Sequence, residues 1–101
     1  MTARARRLLR DIAELIVELH HIEEARDAGA LRRESRRLMT LATDLESDPT
    51  APTVCWLLAR DAEMLVEKAT ASPVGWNEVG ANLSFLESFA RQAAENPVGP
   101  Q

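Results

Sequence analysis

The spacing of the aliphatic residues is the feature of this chain that most constrains its fold. In four segments, Leu, Ile, Val and Ala recur at intervals of three and four residues, most clearly at Leu8, Ile12, Leu15, Leu19 and Ile22. Because an α-helix has 3.6 residues per turn, this spacing places such side chains on one stripe of a helix. The pattern predicts four amphipathic helices, each of which buries one side.

Glycine and proline divide the four segments. We expect helices over about 3–28, 30–46, 51–69 and 76–95, separated by Gly29, by the segment 47–52 and by the segment 72–75. Gly29 is a plausible left-handed cap at the end of the first helix. A helix that continued through Gly29 would rotate the apolar side by about 180° between Ile22 and Leu31. A break at Gly29 allows both apolar stripes to face one core.

Short connections make consecutive helices antiparallel neighbours. The sequence therefore predicts an all-α, up-down antiparallel four-helix bundle, either monomeric or dimeric, formed by residues 1–95 as a single domain. We expect residues 96–101, which contain two prolines and a glycine, to form a flexible tail. The chain has no tyrosine and only four aromatic residues, so its core must be mainly aliphatic. Phe85 and Phe89 are expected to widen the buried stripe of the fourth helix.

Charge and cysteine content restrict the compartment and the partners. The formal net charge is −4, which opposes non-specific binding to nucleic acid or to anionic lipid. Cys55 is the single cysteine; it cannot form an internal disulfide, and its place on the main stripe of the third helix predicts a buried structural thiol. No apolar run approaches the roughly 18 residues of a membrane span, and no signal peptide is evident. We expect a cytoplasmic protein that has no contact with a membrane.

The polar residues form no recognisable catalytic set, so we expect no enzymatic activity, no cofactor and no metal ion. Glu18 and His21 have the Glu-x-x-His spacing of carboxylate-bridged di-iron bundles, but such a site would need a second copy of the chain to complete it. A dimeric bundle that binds a metal ion or a small ligand around Glu18 and His21 is therefore an alternative function. His21 is predicted to face solvent, and His20 to pair with Glu24 one turn later. Asp61 is predicted to lie at the rim of the third helix as a salt-bridge partner.

Arginines open the first two helices, where they oppose the helix dipole and require an anionic partner. They are Arg4, Arg6, Arg7 and Arg10 in the first helix and Arg32, Arg33, Arg36 and Arg37 in the second. The partner could be phosphate or nucleic acid, for which Arg32, Arg33, Arg36 and Arg37 are the candidate anion-binding residues. It could also be local, since Glu23, Glu24 and Asp27 end the first helix close to these arginines. We favour local pairing.

The third helix is apolar over more than half of its circumference. Trp56, Leu57 and Met64 lie outside its main buried stripe, and Arg60 lies on the same side as Trp56. Trp, Met and Arg are enriched at the centres of protein interfaces. The sequence therefore predicts a non-enzymatic protein-interaction module that binds a protein partner through Trp56, Leu57, Arg60 and Met64, with a homodimer as the expected assembly. The alternative is that a neighbouring helix covers these residues.

In size and style the chain resembles the small helical accessory proteins of bacteria and phages, many of which inhibit, adapt or cap a larger protein. The resemblance supplies no motif and assigns no residue. It implies a regulatory, inhibitor or adaptor function.

Overall fold

Four α-helices make up the chain in a computed structural model that describes residues 1–95. They are α1 (Ala3–Ala25), α2 (Ala28–Glu46), α3 (Val54–Thr70) and α4 (Trp76–Glu95). The described residues contain no β-strand. The predicted all-α class is therefore confirmed, and the predicted tail at 96–101 lies outside the described residues.

The helices form a closed ring. Each consecutive pair packs together, and α1 also packs against α4. Over the part of the chain that the structure describes, the backbones of the diagonal pairs α1–α3 and α2–α4 do not approach each other. Connections of two, seven and five residues join the helices, and such short connections reverse the chain direction each time. This arrangement is the predicted up-down four-helix bundle.

The core is aliphatic and receives side chains from all four helices. Ile12, Leu38, Leu65 and Leu86 are among the side chains with no exposed surface or almost none. The intermediate positions of the α2 stripe hold small residues, Ser35 and Ala42, and both are fully buried. The main residues of the core are Ala5, Leu9, Ile12, Leu15, Ile16, Leu19, Leu31, Leu38, Ala42, Leu45, Cys55, Leu58, Ala59, Ala62, Leu65, Ala69, Val79, Leu83, Leu86, Ala90 and Ala93.

The break between α1 and α2 lies three residues before the glycine that was expected to make it. Arg26 is the left-handed residue after α1, with φ 55° and ψ 38°. The Asp27 carboxylate then accepts a hydrogen bond from the Ala30 N–H at 3.0 Å and caps the start of α2. Gly29 consequently lies in the first turn of α2, and the prediction that it caps α1 is wrong. The Arg26 guanidinium lies over the ring of Trp76, 5.7 Å from the ring centroid.

The start of α3 is also displaced from the prediction, from residue 51 to Val54. The connection between α2 and α3 is held by side chains that reach the start of α1. The Thr2 N–H donates to the Thr50 hydroxyl at 2.9 Å, and the Thr2 hydroxyl donates to Asp48 at 2.8 Å. The hydrogen bonds from Thr50 and Thr2 lower the pKa of Asp48. These contacts keep residues 48–50 in a turn, so the helix begins after them.

A substitution at Gly29 distinguishes a helix break at Arg26 from one at Gly29, because the two predict stability changes of opposite sign. A Cβ added to Gly29 would meet only the Asp27 carboxylate, at an ordinary contact distance of 3.7 Å. Gly29→Ala should therefore stabilise the protein by about 0.5 kcal/mol, because alanine loses less conformational entropy than glycine in a helix. Urea unfolding measures this change. A loss of stability would indicate a left-handed Gly29 and would contradict the observed break at Arg26.

Candidate protein-binding face

The side chains that the sequence placed outside the buried stripe of α3 are exposed. The exposed fraction is 53% for Trp56, 41% for Leu57 and 47% for Met64. The Arg60 guanidinium lies over the Trp56 ring, 5.9 Å from its centroid, and forms an ion pair with Glu63. A guanidinium within about 6 Å of an indole ring is attracted to the face of the ring. No neighbouring helix covers these side chains within residues 1–95.

A buried hydrogen bond fixes the register between α3 and α4. The Asn82 side-chain amide donates to the Asp61 backbone carbonyl at 3.1 Å. Because the two helices are antiparallel, a residue four positions before Asp61 lies at the height of a residue four positions after Asn82. Leu57 is therefore about level with Phe85 and Leu86.

Phe85 belongs to the same surface, although it was expected in the core. It is 59% exposed, and its ring stacks on the half-buried Phe89 with the centroids 6.3 Å apart. The expectation for Phe85 is wrong because Leu83 and Leu86 already fill this part of the core, and Phe85 is rotated about 100° around the helix from Leu86. The exposed residues Trp56, Leu57, Met64 and Phe85, with Phe89 behind them, are called the α3–α4 face below.

Asp61 and Asn82 form a polar pair underneath the α3–α4 face. Both residues are buried, and Asp61 Oδ2 and Asn82 Oδ1 have no hydrogen-bond partner. Burial raises the pKa of Asp61. The nearby Lys68 and Asn82 lower this pKa, but by less than burial raises it. Asp61 forms no ion pair within residues 1–95. The prediction of a rim salt bridge is therefore wrong, because Asp61 is buried and no cation of the described residues pairs with it.

The buried carboxyl of Asp61 predicts a specific dependence of stability on pH. Its pKa is higher in the folded chain than the usual 3.8, so the folded chain binds this proton more tightly than the unfolded chain does. The resulting contribution to stability is fully present below pH 3.8 and is lost as the pH rises through the raised pKa. Asp61→Asn removes the titration. The variant should gain stability relative to the wild type as the pH rises from acid to neutral, measured by urea unfolding. Asp11→Asn, which replaces an exposed carboxylate, is the control, and equal behaviour of the two variants would contradict this assignment.

Cys55 is a buried thiol of the core, as its place on the main stripe of α3 predicted. Desolvation, with a smaller contribution from Glu46, raises its pKa to about 11. The nucleophilic thiolate is therefore scarce at neutral pH.

We expect Cys55 to resist alkylation by iodoacetamide at pH 8 in the native protein and to react fully in denaturant, as measured by mass spectrometry. Rapid labelling of the native protein would contradict the burial of this thiol.

Glu18 and His21 are both exposed on α1. Within residues 1–95, no three His, Cys, Asp or Glu side chains are grouped so that they could hold a metal ion. His20 Nε2 is buried without a hydrogen-bond partner, so the expected His20–Glu24 pair is not formed. The imidazole of His20 turns inward, away from the carboxylate one turn later.

The arginines of α2 pair differently from the expectation. Arg33 and Arg37 both contact Glu34, at 3.1 and 3.4 Å. The arginine ion pairs of the described residues all join side chains at most three positions apart. The expected pairing of Arg32, Arg33 and Arg36 with Glu23, Glu24 and Asp27 is therefore wrong. Sequence spacing placed the two charged groups at the same end of the bundle, but it could not show which long side chains reach each other.

One arginine of α2 does lie beside acidic residues of α1. Arg37 lines a surface hollow together with Asp11, Glu14 and Glu18. The negative charges on this side of α1 attract the Arg37 guanidinium, although none of them forms a direct ion pair with it.

A second apolar surface follows the groove between α1 and α4. Two hollows of about 230 and 290 Å³ share Ala13 and Ala94. The exposed Val17 lies at one end of this groove. Arg6, Arg10 and Arg91 also line the hollows. This surface lies across the bundle from α3.

None of the described helices has both the length and the apolar character that crossing a membrane requires. Comparisons with protein-family models, with curated proteins and with solved structures find no match to this chain.

Proposed function

We propose that this protein is a non-enzymatic interaction module, of a regulatory, inhibitor or adaptor type, that binds a protein through the α3–α4 face. The observation that carries the proposal is the concentration of exposed apolar residues on one side of the bundle. Of the five large exposed hydrophobic side chains among the described residues, Trp56, Leu57, Met64 and Phe85 belong to α3 and α4. Only Val17 lies elsewhere.

The composition of the α3–α4 face supports a protein partner. Exposed apolar surface costs about 25 cal/mol for each Å² left in water, so covering these side chains would be favourable. Tryptophan and arginine often dominate interface energies, and methionine adapts to irregular surfaces. Arg60 is already held against Trp56, so less side-chain entropy remains to be lost when a partner binds.

The reactive groups of the described residues support a role without catalysis. Cys55 is buried and its pKa is raised, and both histidines belong to α1, across the ring from α3. A nucleophile needs a base within hydrogen-bond reach. The thiol lies on α3 and the imidazoles lie on α1, and the backbones of these two helices do not approach each other.

A second candidate function is the binding of phosphate or nucleic acid by the arginines of α2. Arg32 and Arg36 are exposed, lie one turn apart and form no ion pair with the described residues. Binding of this kind would weaken steeply as the salt concentration rises. A gel shift at low salt, compared between the wild type and the Arg32→Gln, Arg36→Gln double variant, tests this alternative.

Paired substitutions test the α3–α4 face. Trp56→Ala and Met64→Glu should each weaken the capture of a protein partner from a lysate of the source organism by about tenfold or more, because each removes a large apolar contact of the face. Quantitative pull-down with mass spectrometry measures the loss. Val17→Glu introduces the same charge at an equally exposed apolar position on α1 and should capture normally. Unchanged capture by both α3 variants would refute the proposal.

A further inference from the structure

We infer that a second copy of this chain occupies the α3–α4 face, with the two α3 helices antiparallel and the twofold axis passing through Met64. This inference rests on the proposed function and names the partner of the same face. It is carried by the order of charged and apolar residues along the outward stripe of α3.

The outward stripe of α3 and of the connection after it repeats every seven residues. Leu57, Met64 and Ala71 follow its centre line. Arg60 and Glu67 lie on one edge, and Asp61 and Lys68 lie on the other edge, because residues seven apart are nearly in line on a helix. The stripe therefore has an apolar centre flanked on each edge by one cation and one anion.

This order is self-complementary under a twofold axis. In an antiparallel pair of identical helices, each edge faces the same edge of the copy. With the axis at Met64, Arg60 faces Glu67 of the second copy and Asp61 faces Lys68 of the second copy, each with an offset of one residue, about 1.5 Å along the helix. Symmetry doubles both contacts. Four attractive charge pairs then surround a contact between the two copies of Met64.

Asp61 forms no ion pair within residues 1–95, so no ion pair within its own chain competes with Lys68 of the second copy. Asp61 Oδ2 is enclosed by its own chain, so Lys68 acts on this carboxyl by charge attraction across the edge of α3 rather than by a hydrogen bond to Oδ2. Arg60 is suited to the opposite edge, because its guanidinium has more donors than its contact with Glu63 uses.

The second helix of the face fits the same axis. The hydrogen bond between Asn82 and Asp61 sets Val79 at the height of Met64, since each lies three residues from one end of that bond. Phe85 follows Val79 by six residues, about 9 Å along α4, whereas α4 begins only three residues before Val79. Phe85 therefore lies beyond the start of α4 of the second copy, beside the connection 71–75 of that copy. Leu57 in turn faces the small Ala71 of the copy, so that protruding side chains meet small or apolar ones.

Single cysteines test the register directly, in a Cys55→Ala background. Met64→Cys lies on the axis and should form a disulfide-linked dimer on mild oxidation, read by non-reducing electrophoresis. Leu57→Cys alone should not, because its two copies are separated by about 21 Å along the helices, far beyond the span of a disulfide. A mixture of Leu57→Cys with Ala71→Cys should cross-link. Cross-linking of Leu57→Cys alone, or none by Met64→Cys, would overturn the inference.

Charge reversal tests the edge contacts by sedimentation equilibrium. Glu67→Arg should weaken the dimer by about tenfold, because two attractive pairs become repulsive. Arg60→Glu combined with Glu67→Arg should restore the wild-type affinity. Glu87→Arg makes the same change at an exposed acid outside the face and should leave the affinity unchanged. Failure of the double variant to recover would overturn the assigned pairing.

The oligomeric state separates this inference from the proposed function. A dimer that Met64→Glu dissociates and Val17→Glu does not would support both. A wild-type monomer at millimolar concentration, combined with loss of partner capture in Met64→Glu, would overturn the second copy and leave the protein-binding function standing. A monomer whose capture is unaffected by Met64→Glu would overturn both.

Discussion

A ring of four helices offers each helix only one side to bury, and this constraint governs the rest of the structure. The aliphatic stripes of α1, α2 and α4 fit the available arc and close the core without a tyrosine. Helix α3 carries more apolar residues than one side can hold, so Trp56, Leu57 and Met64 remain outside. The exposed surface that we propose as a binding site therefore follows from the same packing that forms the bundle.

The number of helices and most of the core could be predicted from the spacing of apolar residues. The 3.6-residue period repeats over a whole helix, so no single side chain decides it. The ends of helices depend on single side chains, and here prediction failed. Asp27 caps α2 and moves the break away from Gly29, while Thr2 and Asp48 delay the start of α3. The first is a local competition between two possible caps. The second is a contact between residues 46 positions apart, which no local pattern contains.

The candidate face could be predicted in part for a related reason. The angular position of Trp56, Leu57 and Met64 on α3 follows from sequence, and their exposure agrees with it. Phe85 was missed because the amount of space beside Leu83 and Leu86 is a property of the assembled core. The burial of Asp61 was missed because it depends on how closely α4 packs against this side of α3, where the Asn82 amide reaches the Asp61 backbone carbonyl. Side-chain pairing, such as that of Arg33 and Arg37 with Glu34, depends on rotamers that spacing does not specify.

The two tryptophans provide the molecule with its own optical reporters. The chain contains no tyrosine, so ultraviolet emission from the native protein comes almost wholly from two indoles in different surroundings. Trp56 is solvated at the α3–α4 face, whereas Trp76 packs against the core beneath Arg26. A blue shift from the first indole would follow association at the face, and a red shift from the second would follow separation of α1 from α4. Replacing either indole by phenylalanine would isolate the other signal, so docking and opening of the bundle could be followed separately in one label-free sample.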